Sequence, residues 1–277
     1  MSFGTTTKTK SVLITGVSTG IGLGMTKKLL AEGYRVFGSV RSSRTAEELK
    51  QRLGEHYFPL VFDVCKQEEV DGAARTLKDA LSGQHLTALI NNAGSAEIGP
   101  LLHVPPEDLA RQLDVLVVGQ LRVIQAFYKF LLRAGGTPGR IINISSVSGV
   151  GANTYFGCYA AGKHALEGLS KTLRQELRAS GVKVVVIAPG NIATDIWPKQ
   201  TAPLIERYAQ TDYYPALERT LRQIGTDTVK GAMSVEEFSR AFYEVFTKVD
   251  PGERYTIVKR KRRRIPLSRY RVRVIEG

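Results

Sequence analysis

Short apolar runs alternate with amphipathic helical patterns along most of the chain. The apolar runs are six or seven residues long and are bounded by turn-forming or polar residues, which is typical of strands buried on both faces. The predicted strands are Ser11–Gly16, Tyr34–Val40, Tyr57–Phe62, Leu86–Asn91, Arg140–Ser145 and Val182–Ala188, with Arg254–Val258 as an edge strand. The predicted helices are Ile21–Glu32, Ala46–Leu53, Glu68–Leu81, Pro106–Arg133, Tyr159–Ser180 and Val235–Phe246.

This alternation predicts an α/β fold, a single Rossmann-type doubly wound parallel sheet with helices on both faces. Ligands of such sheets bind at the carboxyl edge of the strands. The 277 residues contain no internal repeat, and we assign residues 1–258 to one domain and residues 259–277 to a basic C-terminal tail. No stretch reaches the roughly 18 apolar residues of a membrane-spanning helix.

A glycine-rich loop joins the first predicted strand to the first predicted helix. Glycines allow the backbone to approach a pyrophosphate, and the helix N-terminus supplies unpaired N–H groups with a positive dipole end. The loop residues predicted to contact the cofactor are Thr15, Gly16, Ser18, Thr19, Gly20, Ile21 and Gly22.

The end of the second predicted strand distinguishes between the two nicotinamide cofactors. An NAD-binding protein has Asp or Glu there to bind the ribose hydroxyls, whereas this chain has Ser39, Val40 and then Arg41. Because an arginine can pair with a 2′-phosphate, Arg41 favours NADP(H). The alternative is that Arg41 is a solvated loop residue.

Several motifs in the correct order resemble those of the short-chain dehydrogenase/reductase family, over roughly residues 10–195. They are TGxxxGIG at Thr15–Gly22, Asp63-Val64, NNAG at Asn91–Gly94, Ser146 thirteen residues before Tyr159, YxxxK at Tyr159–Lys163, and Pro189-Gly190 followed by Thr194. Within the family, the chain is similar to the branch of 17β-hydroxysteroid dehydrogenases and fungal acyl-dihydroxyacetone-phosphate reductases.

The resemblance implies an NADP(H)-dependent oxidoreductase that reduces a ketone or oxidises a secondary alcohol. It adds Asp63, Val64, Asn92, Ala93, Gly94, Tyr159, Lys163, Pro189, Gly190, Ile192 and Thr194 to the cofactor contacts. Tyr159 and Lys163 are four residues apart and face the same side of their helix. The family uses this tyrosine as general acid/base, the lysine to lower its pKa and hold the ribose, and Ser146 to polarise the carbonyl.

Leu116 departs from the family pattern. The family has a catalytic Asn in an NxxG sequence of its long helix, where this chain has Leu116-Val117-Val118-Gly119. That Asn bends the helix and holds a water which links the lysine to solvent, and leucine cannot hydrogen-bond a water. Either the proton travels another way, or the chain is an isomerase, cyclase or nucleotide-binding regulatory protein without a net redox step. Gly162 stands where the family usually has Ser.

Residues 191–230 follow the nicotinamide motif and are predicted to form a substrate lid. Their aromatic residues favour a large apolar substrate, such as a lipid or secondary-metabolite ketone; these are Trp197, Tyr208, Tyr213 and Tyr214. Ile98, Leu101 and Leu102 are predicted to line the same cleft. The alternative is a packed helical pair with a mainly structural role.

The net charge of +13 is concentrated at the end of the chain. Residues 254–277 hold ten Lys or Arg and one acid, a charge of +9, which leaves +4 for the rest. The run Lys259–Arg264 is either a solvated tail or a peripheral contact with anionic membranes. A nuclear-localisation or nucleic-acid role is the third and least favoured alternative, because no nucleic-acid-binding fold accompanies the run.

The two cysteines and four histidines show no metal-binding spacing, so no metal site is predicted. Two cysteines and the absence of an apolar segment near the start favour a reducing, cytoplasmic location. The resemblance further implies a homodimer or homotetramer.

Overall fold

The computed structural model of the protein describes residues 10–132, 136–194, 203–204, 206–260 and 271–276. Its strands are β1 (Ser11–Ile14), β2 (Arg35–Val40), β3 (Tyr57–Val61), β4 (Leu86–Asn91), β5 (Arg140–Ile144), β6 (Lys183–Pro189), β7 (Arg254–Arg260) and β8 (Arg271–Glu276). They form one eight-stranded sheet in the order β3-β2-β1-β4-β5-β6-β7-β8. Strands β1 to β7 are parallel to their neighbours, and β8 is antiparallel to β7.

Helices cover both faces of this sheet. They are α1 (Gly20–Ala31), α2 (Ser43–Leu53), α3 (Gln67–Leu81), α4 (Pro106–Leu113), α5 (Gly119–Phe127), α6 (Gly157–Glu176), α7 (Tyr214–Lys230) and α8 (Val235–Phe246). One apolar core packs α1 and α8 on one face, and a second core packs α3 and α5 on the other. Because β1, β2, β4, β5 and β6 are covered on both sides, their side chains are almost all buried. The predicted doubly wound parallel sheet is therefore confirmed.

The strand order reverses between β1 and β4, and this opening positions the ligand site. Beyond β1 the chain runs outward to β3, and from β4 it runs the opposite way to β7. Loops that leave the carboxyl ends of β1 and β4 therefore diverge and leave a crevice between them. The glycine-rich loop and the Asn91–Gly94 segment lie on the two sides of this crevice.

The prediction of one continuous helix over Pro106–Arg133 is wrong. Helix α4 ends at Leu113, a π-helical turn follows at Asp114–Val118, and α5 then ends in a 3-10 turn at Tyr128–Leu131. A π turn inserts a residue into the helical ladder and leaves main-chain groups without their usual partners. Gln120 compensates here, because its Nε2 donates to the carbonyl of Val115 at 3.3 Å and to that of Ala93 at 2.6 Å.

Residues Arg254–Val258 form part of a strand, β7, as predicted, but this strand does not lie at the edge of the sheet. Strand β8 pairs with β7 along its length and occupies the edge. The predicted domain boundary at residue 258 therefore falls inside β7, and part of the predicted tail belongs to the sheet. Of the run Lys259–Arg264, residues 261–264 lie outside the described residues. Lys259 is engaged within the domain, since its Nζ donates to Glu237 at 3.1 Å and to the Ala232 carbonyl at 3.3 Å.

Within the described ranges, no helix combines the length and the apolar composition needed to cross a bilayer. The same ranges hold no group of three or more His, Cys, Asp and Glu side chains arranged to bind a metal ion.

Candidate active site

Thr15 and Asn92 tie the glycine-rich loop to the end of β4. The hydroxyl of Thr15 accepts hydrogen bonds from the main-chain N–H groups of Asn92 and Ala93, both at 2.9 Å. In return, the Asn92 side-chain amide donates to the carbonyls of Thr15 and Gly16, each at 2.9 Å. This reciprocal bonding holds both sides of the crevice at a fixed separation. Thr15 is fully buried beneath the cavity, whereas the other predicted loop residues line it.

Two glycines give the loop its shape. Gly22, in the first turn of α1, has the Gly16 carbonyl where a side chain would be, because a Cβ there would lie 2.2 Å from that oxygen. Gly20 has φ +59°, a conformation that L-residues rarely adopt, and a Cβ on it would meet only Thr194, at 3.6 Å. Main-chain N–H groups at the start of α1 therefore border open space, which is the geometry of an anion cradle.

The far end of the crevice lies beside β2 and β3. Ser39 is buried, and its hydroxyl accepts from the Gly16 N–H at 3.0 Å, so it belongs to the loop's support. Arg41 is exposed, lines the cavity, and has no ion-pair partner among the described residues. Arg44 is instead paired with Glu48 at 2.9 Å. Phe62, Asp63 and Val64 form the opposite wall.

These elements enclose one cavity of about 480 Å³. Of the residues predicted to bind the cofactor, all except Thr15 line it. Further lining residues, which the sequence does not predict, are Phe62, Ser95, Val115, Ile144 and Ser145. The segment that carries Ile192 and Thr194 is anchored beside α8, because the N–H of Ala193 donates to the Met233 carbonyl at 2.9 Å.

Ser146, Tyr159 and Lys163 meet on one wall of the cavity. Ser146 caps a short 3-10 turn after β5, where its hydroxyl accepts from the N–H of Ser148 at 3.1 Å, and it hydrogen-bonds the Tyr159 side chain. Lys163 Nζ lies 5.7 Å from the centre of the Tyr159 ring and donates to the Ile144 carbonyl at 2.8 Å. The structure thus brings together the three side chains predicted as catalytic.

Burial controls the acid–base properties of this group. It raises the pKa of Tyr159, and the hydrogen bond with Ser146 opposes that rise. It lowers the pKa of Lys163 to about 8, against the attraction of the Glu167 carboxylate. In the free protein the pKa of Tyr159 is therefore raised by burial, and is not lowered by Lys163 as the sequence predicts. Desolvation, which disfavours whichever form is charged, is the larger effect on both groups.

A family model for short chain dehydrogenases matches residues 10–204. The chain belongs to this family. It is 35% identical to an NADPH-dependent 3-dehydrocapnine reductase of Ornithobacterium rhinotracheale over 257 residues, which cover 90% of this chain and 88% of that protein. It is 32% identical to a 3-amino-tetrahydro-pyrrolizinone reductase of Xenorhabdus hominickii over 256 residues, covering 90% and 86%.

Solved structures agree on the fold. A short chain dehydrogenase/reductase of Burkholderia phymatum, in complex with NAD, superposes with a TM-score of 0.75 at 21% identity, covering 89% of this chain and 88% of that one. The predicted family is confirmed by these comparisons, and an oxidoreductase acting on alcohol or ketone groups follows from it.

Leu116 lies in the π-helical turn and lines the cavity of this short chain dehydrogenase. Its side chain is fully buried and packs against two glycines. A Cβ on Gly162 would lie 2.8 Å from Leu116 Cδ1, and a Cβ on Gly94 would lie 3.1 Å from Cδ2. The helix is therefore irregular where the family has its Asn, although the side chain there is apolar.

The predicted lid is described in part, and Trp197 lies outside the described residues. Tyr208 packs in a small apolar cluster with Ile98, Leu204 and Leu217, beside Phe156. Ile98 is thus a core residue and does not line the cavity. Leu101 and Leu102 are 62% and 81% exposed, and Tyr213 forms an edge contact with the ring of His103 at 5.5 Å. Tyr214 begins α7.

Charged side chains attach this lid to the domain. Arg207 bridges Glu97, at 3.2 Å, and Asp108, which is buried in the first turn of α4 and also pairs with Arg111. Sequence reasoning missed this group, because its members are up to 110 positions apart and each alone is typical of a surface charge. Only the fold brings them together.

Proposed function

We propose that this chain is an NADPH-dependent reductase of ketones on large apolar substrates, with the reverse oxidation of the alcohol available to the same site. The observation that carries the proposal is the convergence of Ser146, Tyr159 and Lys163 on the wall of a cavity that the glycine-rich loop borders. A surface pair of tyrosine and lysine would have no reason to be buried beside an anion cradle.

The residues present fit a nicotinamide dinucleotide. When bound, the cofactor supplies the hydride. Gly20 leaves open space where a side chain would fill the cradle, so the first N–H groups of α1 can bind a pyrophosphate. Phe62, Asp63 and Val64 would hold the adenosine end. Arg41, exposed and without an ion pair among the described residues, supports a 2′-phosphate, as does the NADPH dependence of the Ornithobacterium relative.

Tyr159 would donate the proton to the substrate oxygen, with Ser146 hydrogen-bonded to the same oxygen. Because burial raises the pKa of Tyr159, the phenol is protonated at neutral pH and is available as an acid. Lys163, anchored by the Ile144 carbonyl, would hold the ribose and stabilise the phenolate after proton transfer.

Exposed apolar side chains near the site support a large apolar substrate. Leu101 packs against Gly157 at the start of α6, two residues before Tyr159, and it is nevertheless 62% exposed. Val147 and Val150, on either side of the turn that Ser146 begins, are 36% and 64% exposed. Covering such side chains with an apolar ligand removes them from water and therefore lowers the free energy of the complex.

Cofactor binding and turnover test the proposal in two steps. The thermal unfolding midpoint is measured without cofactor, with NADPH and with NADH, since a ligand that binds only the folded state raises it. We expect a clear rise with NADPH and little with NADH. Consumption of NADPH is then followed by absorbance with a panel of steroid, long-chain and cyclic ketones. A midpoint that neither cofactor raises contradicts the nucleotide site.

A second candidate follows from Leu116. An isomerase, cyclase or nucleotide-binding regulatory protein would retain the nucleotide site but would not need the hydrogen-bonding side chain that Leu116 replaces. The same two measurements separate the candidates. A midpoint that rises with NADPH, together with no oxidation of NADPH by any ketone of the panel, favours this second candidate.

We further propose that the basic run Lys259–Arg264, apart from Lys259, contacts anionic membrane surfaces peripherally. Lys259 has a structural role and is excluded from this contact. Cosedimentation with phosphatidylserine vesicles, with and without charge-neutralising substitutions at 261–264, tests this proposal, and equal binding of both proteins contradicts it.

A cytoplasmic location and a homodimer or homotetramer remain predictions. Both cysteines, Cys65 and Cys158, are free thiols.

A further inference from the structure

A partly buried ion pair lies one helical turn beyond Lys163. Glu167 is the fourth residue after Lys163 on α6, and its side chain is 7% exposed. The Arg254 guanidinium, at the start of β7, donates through Nε to both carboxylate oxygens at 3.2 Å. Arg254 is fixed in turn, because its Nη1 donates to the Thr256 hydroxyl at 2.7 Å. Neither the motifs nor the proposed reaction accounts for this pair.

The backbone is shaped to admit this carboxylate. A Cβ on Gly149, in the turn that follows Ser146, would lie 3.0 Å from Glu167 Oε1 and 2.5 Å from the hydroxyl oxygen of Ser145. The Ser145 hydroxyl is buried and has no hydrogen-bond partner among the described residues. A polar region therefore lies behind the β5 end of the cavity wall, and it is continuous with the helix face of Lys163.

The opposite side of Lys163 is apolar. Leu116 fills the space against Gly162, the residue that precedes the lysine, and carries no charge or hydrogen-bonding group. A buried ammonium needs a compensating charge, because its desolvation is costly. The geometry leaves Glu167 as the group that can supply this charge.

Few other charged groups face Lys163 within the described part of the chain. On its own helix, Tyr159 is the other titratable neighbour, at 5.7 Å from ring centre to Nζ. On the β5 side, its ammonium donates a hydrogen bond to the carbonyl of Ile144, which is uncharged. On the β7 side, Arg254 is a charged group that pairs with Glu167. Among the acids of α4 and the π-helical turn, Asp108 pairs with Arg111 and Arg207, Asp114 pairs with Arg122, and Glu107 is exposed.

We propose that Glu167, whose carboxylate is fixed and partly neutralised by Arg254, is a positioning residue that keeps the Lys163 ammonium charged in a site where Leu116 provides no polar partner. This inference rests on the proposed function for its catalytic consequence, but the electrostatic coupling exists without it. The direction of the effects on Lys163 agrees, since burial lowers its pKa to about 8 and, among the described residues, the Glu167 carboxylate raises it. The pair would therefore set the upper pH limit of ketone reduction.

The coupling can be measured in the free protein. Lysine labelled with ¹³C at Cε is titrated by NMR, and the Lys163 resonance is identified by its absence from Lys163→Met. In Glu167→Gln, which retains the shape of the side chain and removes its charge, we expect the Lys163 pKa to fall by about one pH unit. Glu176→Gln, an exposed acid at the end of the same helix, is the matched control and should leave it unchanged.

Two further variants separate charge from packing. Glu167→Asp keeps the charge and shortens the side chain, so it should move the Lys163 pKa less than Glu167→Gln does; a packing role would reverse that order. Arg254→Gln removes the cation beside the carboxylate and should raise the Lys163 pKa. This opposite sign keeps the test decisive if Glu167→Gln does not fold.

Enzyme kinetics give the second readout. With NADPH and whichever panel ketone turns over, the upper pH limit of kcat/KM should fall in Glu167→Gln by the same amount as the Lys163 pKa. An unchanged Lys163 pKa in Glu167→Gln overturns the positioning role, whatever the activity of the protein. A shifted pKa in a protein that does not bind NADPH upholds the coupling and contradicts the proposed function instead.

Discussion

The side chain of Leu116 fills the space that a side chain on Gly162 would need, because a Cβ on Gly162 would lie 2.8 Å from Leu116 Cδ1. These are the two positions at which the chain departs from the family pattern around Lys163. The structure shows that the departures are in contact. A bulky apolar side chain in the π-helical turn is accommodated by the absence of a side chain on α6.

This contact predicts a coupled stability effect. Gly162→Ala would normally stabilise a helix by about 1 kcal/mol, but here the new methyl group overlaps Leu116, and we expect a loss of about 1–3 kcal/mol. In the Leu116→Ala background the same substitution should be neutral or stabilising. Urea unfolding of the four proteins gives the coupling energy, and additive effects would show that the two side-chain positions are independent.

Tyr159→Phe should abolish ketone reduction and leave NADPH binding intact, because the ring still packs while the hydroxyl proton is removed. Turnover is compared with the NADPH-induced rise in the unfolding midpoint, and Tyr57→Phe is the control, since Tyr57 is a buried tyrosine beside β2 and away from Lys163. Undiminished turnover in Tyr159→Phe would remove the tyrosine from the reaction.

Arg41→Ala should weaken NADPH binding by about 10- to 100-fold, the contribution of a charged hydrogen bond of about 1.5–3 kcal/mol, and leave NADH binding nearly unchanged. Arg44→Ala is the matched control, because Arg44 lies in the same region but pairs with Glu48. Titration by fluorescence of the reduced nicotinamide measures the six affinities of the wild type and the two variants for NADPH and NADH. An equal loss for both cofactors in Arg41→Ala would show that Arg41 does not contact the 2′-phosphate.

Lys163 should make the stability of the protein depend on pH above neutrality. Its folded-state pKa of about 8 lies below the ordinary lysine value of 10.5, so the charge of Lys163 opposes folding below pH 8, and this penalty is relieved as the pH rises towards 10.5. Relative to Lys163→Met, the wild-type free energy of unfolding should therefore increase by up to about 3 kcal/mol over that window. Denaturant titrations at several pH values check it, and a constant difference would show that Lys163 has an ordinary pKa.

Arg207→Met should loosen the lid by breaking its attachment to Glu97 and the buried Asp108. We expect KM for the ketone to rise several-fold while NADPH affinity is retained, and stability to fall by about 1–3 kcal/mol because Asp108 keeps only Arg111. Arg222→Met, which disrupts an exposed pair with Glu218 on α7, is the control. Equal KM values in the two variants would show that Arg207 has no role on the substrate side.

Much of the fold and the cavity could be predicted from the sequence, because these features depend on local patterns. Apolar runs of the right length specify strands covered on both faces. The glycines Gly16, Gly20 and Gly22 are needed because the main chain of the loop must turn tightly and approach other groups closely. The strands β1 to β7 and the residues around the cavity were therefore predicted nearly as they are found. The order of the elements along the chain was sufficient for this.

The tertiary structure decided what depends on pairs distant in sequence. The π turn at Asp114–Val118 was invisible because Gln120, which bonds the Val115 carbonyl, shows no local signal. The sequence predicts a tail where the structure has β8, because a run of cations masks the alternating pattern, and only pairing with β7 makes it a strand. The Glu167–Arg254 pair joins residues 87 positions apart. The Glu167 carboxylate acts on Lys163 only because the fold buries both side chains, and charges there interact more strongly than in water.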